Sequence, residues 1–361
     1  MWSSMRTDRF FVTGAWQGEI AEFRVTGFKK RNGFAELVRV LEPSPARTTP
    51  PCPHHGFGAA QCGGCGWQFV TVEAQLEQKQ QRVRQAMARL GVEDKVRAIW
   101  ASPNSLGYRN RAQFKTDGQR VGYVAAKSNR LVPIEDCPIL TQSNRATLAK
   151  ILALLPSKAW RSRKKDQWTT LDIDEQTTID SLDINQRRPF GQGNTAQNVR
   201  IRAWLAQQLE SADRTRPVLE LFAGSGNLTE IIADKGFSAV IAVEAVAEVV
   251  DTLNSSSLDG VGAVVANLFD ETVVKSLIRS CSDVGTLVLD PPRDGFKCME
   301  SLLESATKLG RIFYISCDLA TFSRDLQVAQ QHGFDIEEIQ PLDMFPHTPH
   351  VELMASAVRV V

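Results

Sequence analysis

Pro217-Val-Leu-Glu-Leu-Phe-Ala-Gly-Ser-Gly-Asn227 is the stretch that decides the fold. A short apolar run breaks into a Gly-x-Gly turn and then into a helical pattern over 227–235. The same rhythm continues toward the C-terminus. Ala239-Val-Ile-Ala-Val-Glu244 precedes a helix over 245–254, and Gly262-Ala-Val-Val-Ala266 precedes one over 271–281. Thr286-Leu-Val-Leu-Asp290 precedes a helix over 299–309, and Arg311-Ile-Phe-Tyr-Ile-Ser316 one over 319–331. Two last strands are expected near 334–342 and 351–360. Continuously apolar strands alternating with helices predict a parallel sheet covered on both faces, an α/β doubly wound Rossmann-like domain. In such a sheet the ligands lie at the carboxyl ends of the strands.

The strand ends carry the chemistry. At the first, the Gly-x-Gly turn lets a ligand approach the backbone closely. The second ends in Glu244, about twenty residues on, where an acid would bind a ribose diol. This predicts an adenosine-type cofactor and leaves NAD and S-adenosylmethionine both open. The missing third glycine counts against a pyrophosphate. The fourth strand ends in Asp290-Pro-Pro-Arg293, a stiff extended turn that holds a side chain over a pocket. In amino-group methylases the analogous turn is Asn-Pro-Pro-aromatic; here an acid leads and a cation follows. The fifth strand ends in Ser316-Cys317-Asp318. A lone cysteine is ordinarily core filler, but at a strand's carboxyl end before a helix it reads as a nucleophile, its thiol acidity raised by the helix N-terminus.

Upstream of the sheet the composition shifts. The 361 residues are 43% hydrophobic and 23% charged with net charge +1, an ordinary globular balance. No window approaches the ~18 apolar residues of a membrane helix, and the start lacks a secretory signal. Residues 1–200 hold 30 basic and 18 acidic side chains, whereas 201–361 hold 12 and 23. A basic front half suggests a polyanion-binding platform. Within it, 18–42 alternate as two strands around the basic turn Lys29-Lys-Arg-Asn-Gly33, 44–53 read as a proline-rich linker, and 71–90 as a Gln-rich helix capped by Gly91. Short cation-bearing strands follow over 108–134. Seven cysteines, an odd number, argue for a reducing compartment, the cytoplasm, and against a disulfide framework. Four stand apart: Cys52, Cys62 and Cys65 in one stretch, and Cys137 later. Four thiolates suit zinc or an iron–sulfur cluster, and His54 and His55 keep zinc open.

Taken together, Phe190-x-Gln192-x-Asn194, Leu221-Phe-x-Gly-x-Gly-Asn227, Glu244, Asn267, Asp290-Pro-Pro-Arg293, Ser316-Cys317 and Phe345-Pro-His-Thr-x-His-Val-Glu352 resemble the RNA uracil-5-methyltransferases. With the four cysteines the likeness runs from about residue 17 to the end, and it is greatest to the iron–sulfur branch acting on 23S ribosomal RNA. The resemblance implies a partial OB-like (TRAM) β segment over 1–48, a smaller α+β central domain with the cysteines over 49–185, and an S-adenosylmethionine-dependent methyltransferase domain over 186–361. It implies Cys317 as nucleophile on uridine C6 and Glu352 as the base that removes the C5 proton, with His350 supporting. It implies cofactor contacts from Gln192, Phe222, Asn227, Glu244, Asn267 and Asp290. Cys52, Cys62, Cys65 and Cys137 match the ligands of a [4Fe-4S] cluster, with zinc the alternative; the spacing is not that of a radical S-adenosylmethionine enzyme. RNA is the implied partner, ribosomal ahead of transfer, with no membrane and no obligate protein partner. Arg109, Arg111, Lys115, Arg161, Arg163, Lys164 and Lys165 are candidates for phosphate contacts.

The chain also departs from the family pattern. Asp318 stands where Asn is usual, and its carboxylate would raise the Cys317 pKa unless hydrogen-bonded away. The Cys52–Cys62 loop is long, Pro349 replaces a residue often His, and the opening strands of the barrel are not discernible. These leave two rivals: transfer-RNA uridine methylation, and an iron–sulfur RNA-binding protein with impaired catalysis. An amino-group methylase, the third, has no need of Cys317.

Overall fold

The computed structural model describes residues 9–30, 32–58, 60–125, 128–162, 168–186 and 191–360. They fall into two compact units: Met1–Gln75 with Ser105–Gln186 and Pro346–Pro349, and Leu76–Asn104 with Arg187–Phe345 and His350–Val361. The anticipated residues Phe190, Arg163, Lys164 and Lys165 lie outside the described residues.

The first unit holds two sheets. β1 (Arg9–Thr13), β2 (Ile20–Lys29) and β3 (Asn32–Glu42) form a small sheet in the order β1-β3-β2. β2 and β3 are the anticipated antiparallel pair, whereas β1, parallel to β3, adds a strand that the sequence pattern did not give away. Phe11, Phe23, Phe28 and Phe34 remain exposed on it. The stretch 44–53 is not a free linker. Arg47 bonds Glu19 through Nε at 2.5 Å and lies 4.6 Å from the centre of the Phe69 ring, and the Thr71 amide donates to the Ala46 carbonyl at 2.9 Å. The second sheet is antiparallel, in the order β6-β5-β4-β7-β8, from β4 (Arg111–Thr116), β5 (Val121–Val124), β6 (Leu131–Pro133), β7 (Thr169–Asp174) and β8 (Asp183–Ile184). Arg111 grips Asp172 through two nitrogens at 3.2 and 2.9 Å, and Lys115 donates to Thr170 Oγ1 at 2.6 Å. Two of the cations anticipated for phosphate are therefore engaged across this sheet.

A helix, α1 (Val72–Ala88), stops at Gly91, whose φ of 68° only glycine adopts easily. α2 (Gln142–Ala153), in the first unit, is N-capped by Thr141, and α3 (Thr195–Gln208) in the second unit by Asn194. Then come β9 (Val218–Leu221), α4 (Thr229–Ala233), β10 (Val240–Glu244), α5 (Ala247–Asn254), β11 (Val261–Val265) and α6 (Glu271–Ser280). β12 (Thr286–Leu289), α7 (Met299–Ser305), β13 (Arg311–Ser316), α8 (Leu319–Gln331), β14 (Phe334–Leu342) and β15 (Glu352–Arg359) complete the unit. The sheet runs β11-β10-β9-β12-β13-β15-β14, parallel except for the terminal hairpin, of which β15 lies antiparallel beside β13.

The apolar runs are continuous because each parity faces a different helical layer. Leu219, Leu221, Leu287, Leu289 and Ile312 pack with α6, α7 and α8, while Val218, Val288, Phe313 and Ile315 pack with Ile201, Trp204 and Leu205 of α3. The order reverses between β9 and β12, which opens a crevice at their carboxyl ends. Among the described residues no helix is long and apolar enough to cross a membrane.

Candidate active site

The crevice begins with strain. Phe222, directly after β9, holds φ at 63°, a left-handed conformation that a bulky side chain adopts at a cost of about 1–3 kcal/mol. Gly226 follows at φ 90°, and a Cβ there would stand 2.7 Å from a Leu253 methyl carbon. The turn is braced by the acid across it: Glu244 accepts the Gly224 amide at 3.0 Å and the Ala245 amide at 2.7 Å. Asn227 forms a two-way amide pair with Asn198, both contacts at 2.9 Å. Asn267 is exposed at the end of β11 and accepts the Phe269 amide at 3.1 Å. Phe269 was not singled out in the sequence, yet it is exposed and its ring lies 5.9 Å from that of Phe222. Together they form an apolar lip of two rings tilted by 58°. Gln192 is half-buried two residues before the Asn194 cap.

The anticipated nucleophile and base lie across β13 and β15, beside the end of β12. Ser316 pairs with Leu353 in antiparallel register, so the next positions, Cys317 and Glu352, come opposite each other where the strands end. Asp290 follows β12, its amide on the Leu221 carbonyl at 3.4 Å. The Asp290-Pro-Pro-Arg293 turn is tied to α8: Thr321 Oγ1 donates to the Arg293 carbonyl at 3.2 Å. Gly295, at φ 67°, makes the approach possible, since a Cβ there would lie 2.7 Å from Asp325 Oδ2.

The electrostatics reverse one sequence expectation. The Cys317 thiol is pushed up to about 11, not down, by burial and by the neighbouring Glu352 and Asp290, with Arg293 opposing. The helix N-terminus is outweighed because Cys317 precedes the cap of α8 rather than occupying its first turn. Asp318 is that cap. Its Oδ1 accepts the Ala320 and Thr321 amides at 3.0 Å, so the unusual acid is hydrogen-bonded into the helix. Burial raises both the Asp290 and the Glu352 carboxyls, and Asp290 raises Glu352 further.

Glu220 on β9 is a further acid that the sequence reading passed over. It is 2% exposed, burial pushes it up to about 8, and its Oε2 has no hydrogen-bond partner among the described residues. Its folded pKa lies above the usual 4.5, so its contribution to stability is complete below that value and is lost as pH rises through about 8. Thermal melts are expected to show Tm falling over that window, and Glu220→Gln to flatten the fall; an unchanged slope would refute the assignment.

The first unit assembles the other sulfurs. Cys52, Cys62 and Cys65 share one loop and Cys137 follows β6. Burial and the mutual repulsion of the thiolates push Cys65 up to about 12, and burial above all pushes Cys137 up to about 11. His54 Nε2 accepts the Glu135 amide at 3.3 Å, while His55 Nδ1 is buried without a partner among the described residues. Among the described residues, the group of three donor atoms within 4.8 Å of one another is Glu300 and Glu304 of α7 with His332 at the end of α8; no three of the four sulfurs are drawn that close.

Comparison with known proteins bears on this geometry. Residues 274–357 match the family model described as tRNA (Uracil-5-)-methyltransferase. An uncharacterized RNA methyltransferase of Nitrosomonas europaea is 40% identical over 96% of this chain and 90% of its own length. The 23S rRNA (uracil(1939)-C(5))-methyltransferase RlmD of Vibrio cholerae is 30% identical over 97% of this chain and 90% of its own. Among solved structures, the tRNA (uracil-54, C5)-methyltransferase of Pyrococcus abyssi, crystallised with S-adenosyl-L-homocysteine, superposes with a TM-score of 0.68 over 97% of this chain and 95% of that one at 21% identity, a likeness of fold.

Proposed function

The chain belongs to the RNA uracil-5-methyltransferase family, and from that premise we propose that it methylates C5 of a uridine in 23S ribosomal RNA, using S-adenosylmethionine, through a covalent bond to Cys317. The observation that carries the mechanism is the register that sets Cys317 opposite Glu352 at the open end of β13 and β15.

Uridine C5 is a weak nucleophile. The Cys317 sulfur adds to C6, and the ring electrons then concentrate at C5. S-adenosylmethionine, when bound, supplies the electrophilic methyl group. The Glu352 carboxylate takes the C5 proton, the C6–S bond breaks, and the thiolate leaves with its electron pair. The high affinity of Glu352 for a proton suits a base, and Arg293 is the cation that restrains the rise of both it and the thiol. On the cofactor side, the Phe222 and Phe269 lip would take the adenine, Glu244 the ribose, Asn267 the adenine edge, and Asp290 with Gln192 the end nearest the target base; Asn227 would shape the turn.

The target uridine must leave its stack to reach Cys317. The small sheet suits single-stranded RNA, because it exposes Phe23, Phe28 and Phe34 as well as Arg24, Lys29 and Lys30, and bases stack on such rings for about 1–3 kcal/mol each.

The four cysteines would hold a [4Fe-4S] cluster. The donor set is four soft thiolates, the ligand type of iron–sulfur clusters and of structural zinc alike. Anaerobically purified protein is expected to contain about four irons and to lose them in Cys65→Ser. One zinc and no iron would replace the cluster with the zinc reading.

The function is tested with RNA carrying 5-fluorouridine, from which no C5 proton can be removed. Incubated with S-adenosylmethionine, the protein is expected to form a denaturation-stable adduct with 23S rRNA fragments. An adduct with transfer RNA alone would reassign the substrate; none with either would end the proposal.

A further inference from the structure

The Gln-rich helix α1 looks polar in sequence, yet its Lys79 is fully buried. The Nζ donates to Asp343 Oδ1 at 2.5 Å and to the Phe345 carbonyl at 3.2 Å, and both charged side chains are at most 2% exposed. A buried ion pair is a poor way to gain stability, because desolvation offsets the attraction; an apolar pair of similar volume often does as well. Its location gives it another use. Leu342, the last residue of β14, pairs with Glu352, the first of β15, and Asp343 is the next residue along. The segment 343–345 is held from three sides. Gln197 Nε2 donates to the Asp343 carbonyl at 2.9 Å, Asn194 Nδ2 donates to the Met344 carbonyl at 3.2 Å, and the Asp343 amide donates to the Trp100 carbonyl at 2.9 Å. Those clamps grip main chain at Asp343 and Met344. Lys79 grips the Asp343 side chain and the Phe345 carbonyl with one ammonium, so it sets the turn between them.

We propose that Lys79 is a positioning residue for Glu352: by fixing the segment 343–345 it fixes Leu342, and with it the strand register that points the Glu352 carboxylate at uridine C5. This rests on Glu352 being the base. The charge matters because a charge-assisted bond is shorter and more directional than a neutral one.

The test separates the two claims. Ordinary uridine RNA and S-adenosylmethionine are given to wild type, Glu352→Gln and the double variant Lys79→Met/Asp343→Leu, and the release of covalently held, methylated RNA is timed. The double variant removes both charges at similar bulk, so its Tm is expected to stay near that of wild type. Its release is expected to slow about a hundredfold, the penalty of a base displaced by about 1 Å. Adduct formation on 5-fluorouridine RNA, which needs no base, is expected to be unchanged. Asp343→Asn disturbs the packing least, and its weakened bond is expected to slow release about tenfold. Prompt release by Glu352→Gln would refute the base assignment itself. Trapping by Glu352→Gln with wild-type release in every folded Lys79 or Asp343 variant would leave that assignment standing and overturn the proposal.

Discussion

Cys317→Ala is expected to yield no covalent complex with 5-fluorouridine RNA and to lower turnover about 10⁴-fold or more, the usual consequence of deleting a covalent nucleophile. The fold should survive. Cys317 is half-buried at the end of β13, it does not belong to the apolar core, and removing a thiol there leaves the Asp318 cap of α8 intact. Cofactor binding, which the proposed mode assigns to the β9 and β10 turns, should be unaffected, so equilibrium dialysis of S-adenosylmethionine is the control. Residual adduct in Cys317→Ala would mean that another nucleophile acts. Cys298 is the nearest other cysteine in chain order, but it is 7% exposed in the apolar core and poorly placed for that role.

Glu352→Gln is expected to fail later in the reaction. The amide fills the same space, so Cys317 still adds and C5 still accepts the methyl group, but the proton stays. Methylated RNA should then remain bound through denaturation even when the substrate carries ordinary uridine rather than 5-fluorouridine, and turnover should fall about 10²–10⁴-fold. The pH profile of the wild type carries the same signature. Burial and the nearby Asp290 raise the Glu352 carboxyl, and burial raises the Cys317 thiol, so both groups need high pH to reach their working forms. Turnover should therefore climb through the neutral and mildly alkaline range. In Glu352→Gln, formation of the trapped species should keep only the part of the climb due to the thiol. A flat profile in the wild type would contradict the pairing of these two groups.

The catalytic sheet was legible because four of its strands are mostly apolar runs, each closed by a residue with chemistry: Leu221 by Phe222, Val243 by Glu244, Leu289 by Asp290, Ser316 by Cys317. The hairpin at the C-terminus was legible as two strands, but not its order, with β15 inserted beside β13, since pairing partners are not written in local pattern. It is that insertion which brings Glu352 to Cys317. β1 escaped notice because five residues near a terminus carry too little periodicity. Burial was the larger gap. Lys79 in a polar helix and Glu220 in a strand look like solvated charges until the neighbours are known. Arg111 and Lys115 look like open cations until β7 is placed beside them. The direction of the Cys317 shift failed for a similar reason: the dipole argument is local, while the burial and the two carboxylates that raise the thiol arrive with other strands.

The brace from Glu244 to the Gly224 amide also constrains how this protein could change over time. In many doubly wound folds the acid at the end of the second strand can be exchanged, and the ligand preference follows, because the acid touches only the ribose. Here the carboxylate also accepts the Gly224, Ala245 and Val246 amides, at 3.0, 2.7 and 3.2 Å. A substitution at Glu244 would release the turn carrying the strained Phe222. In the proposed binding mode, an affinity lost in a Glu244 variant would therefore measure the collapse of a loop together with the loss of a ribose contact.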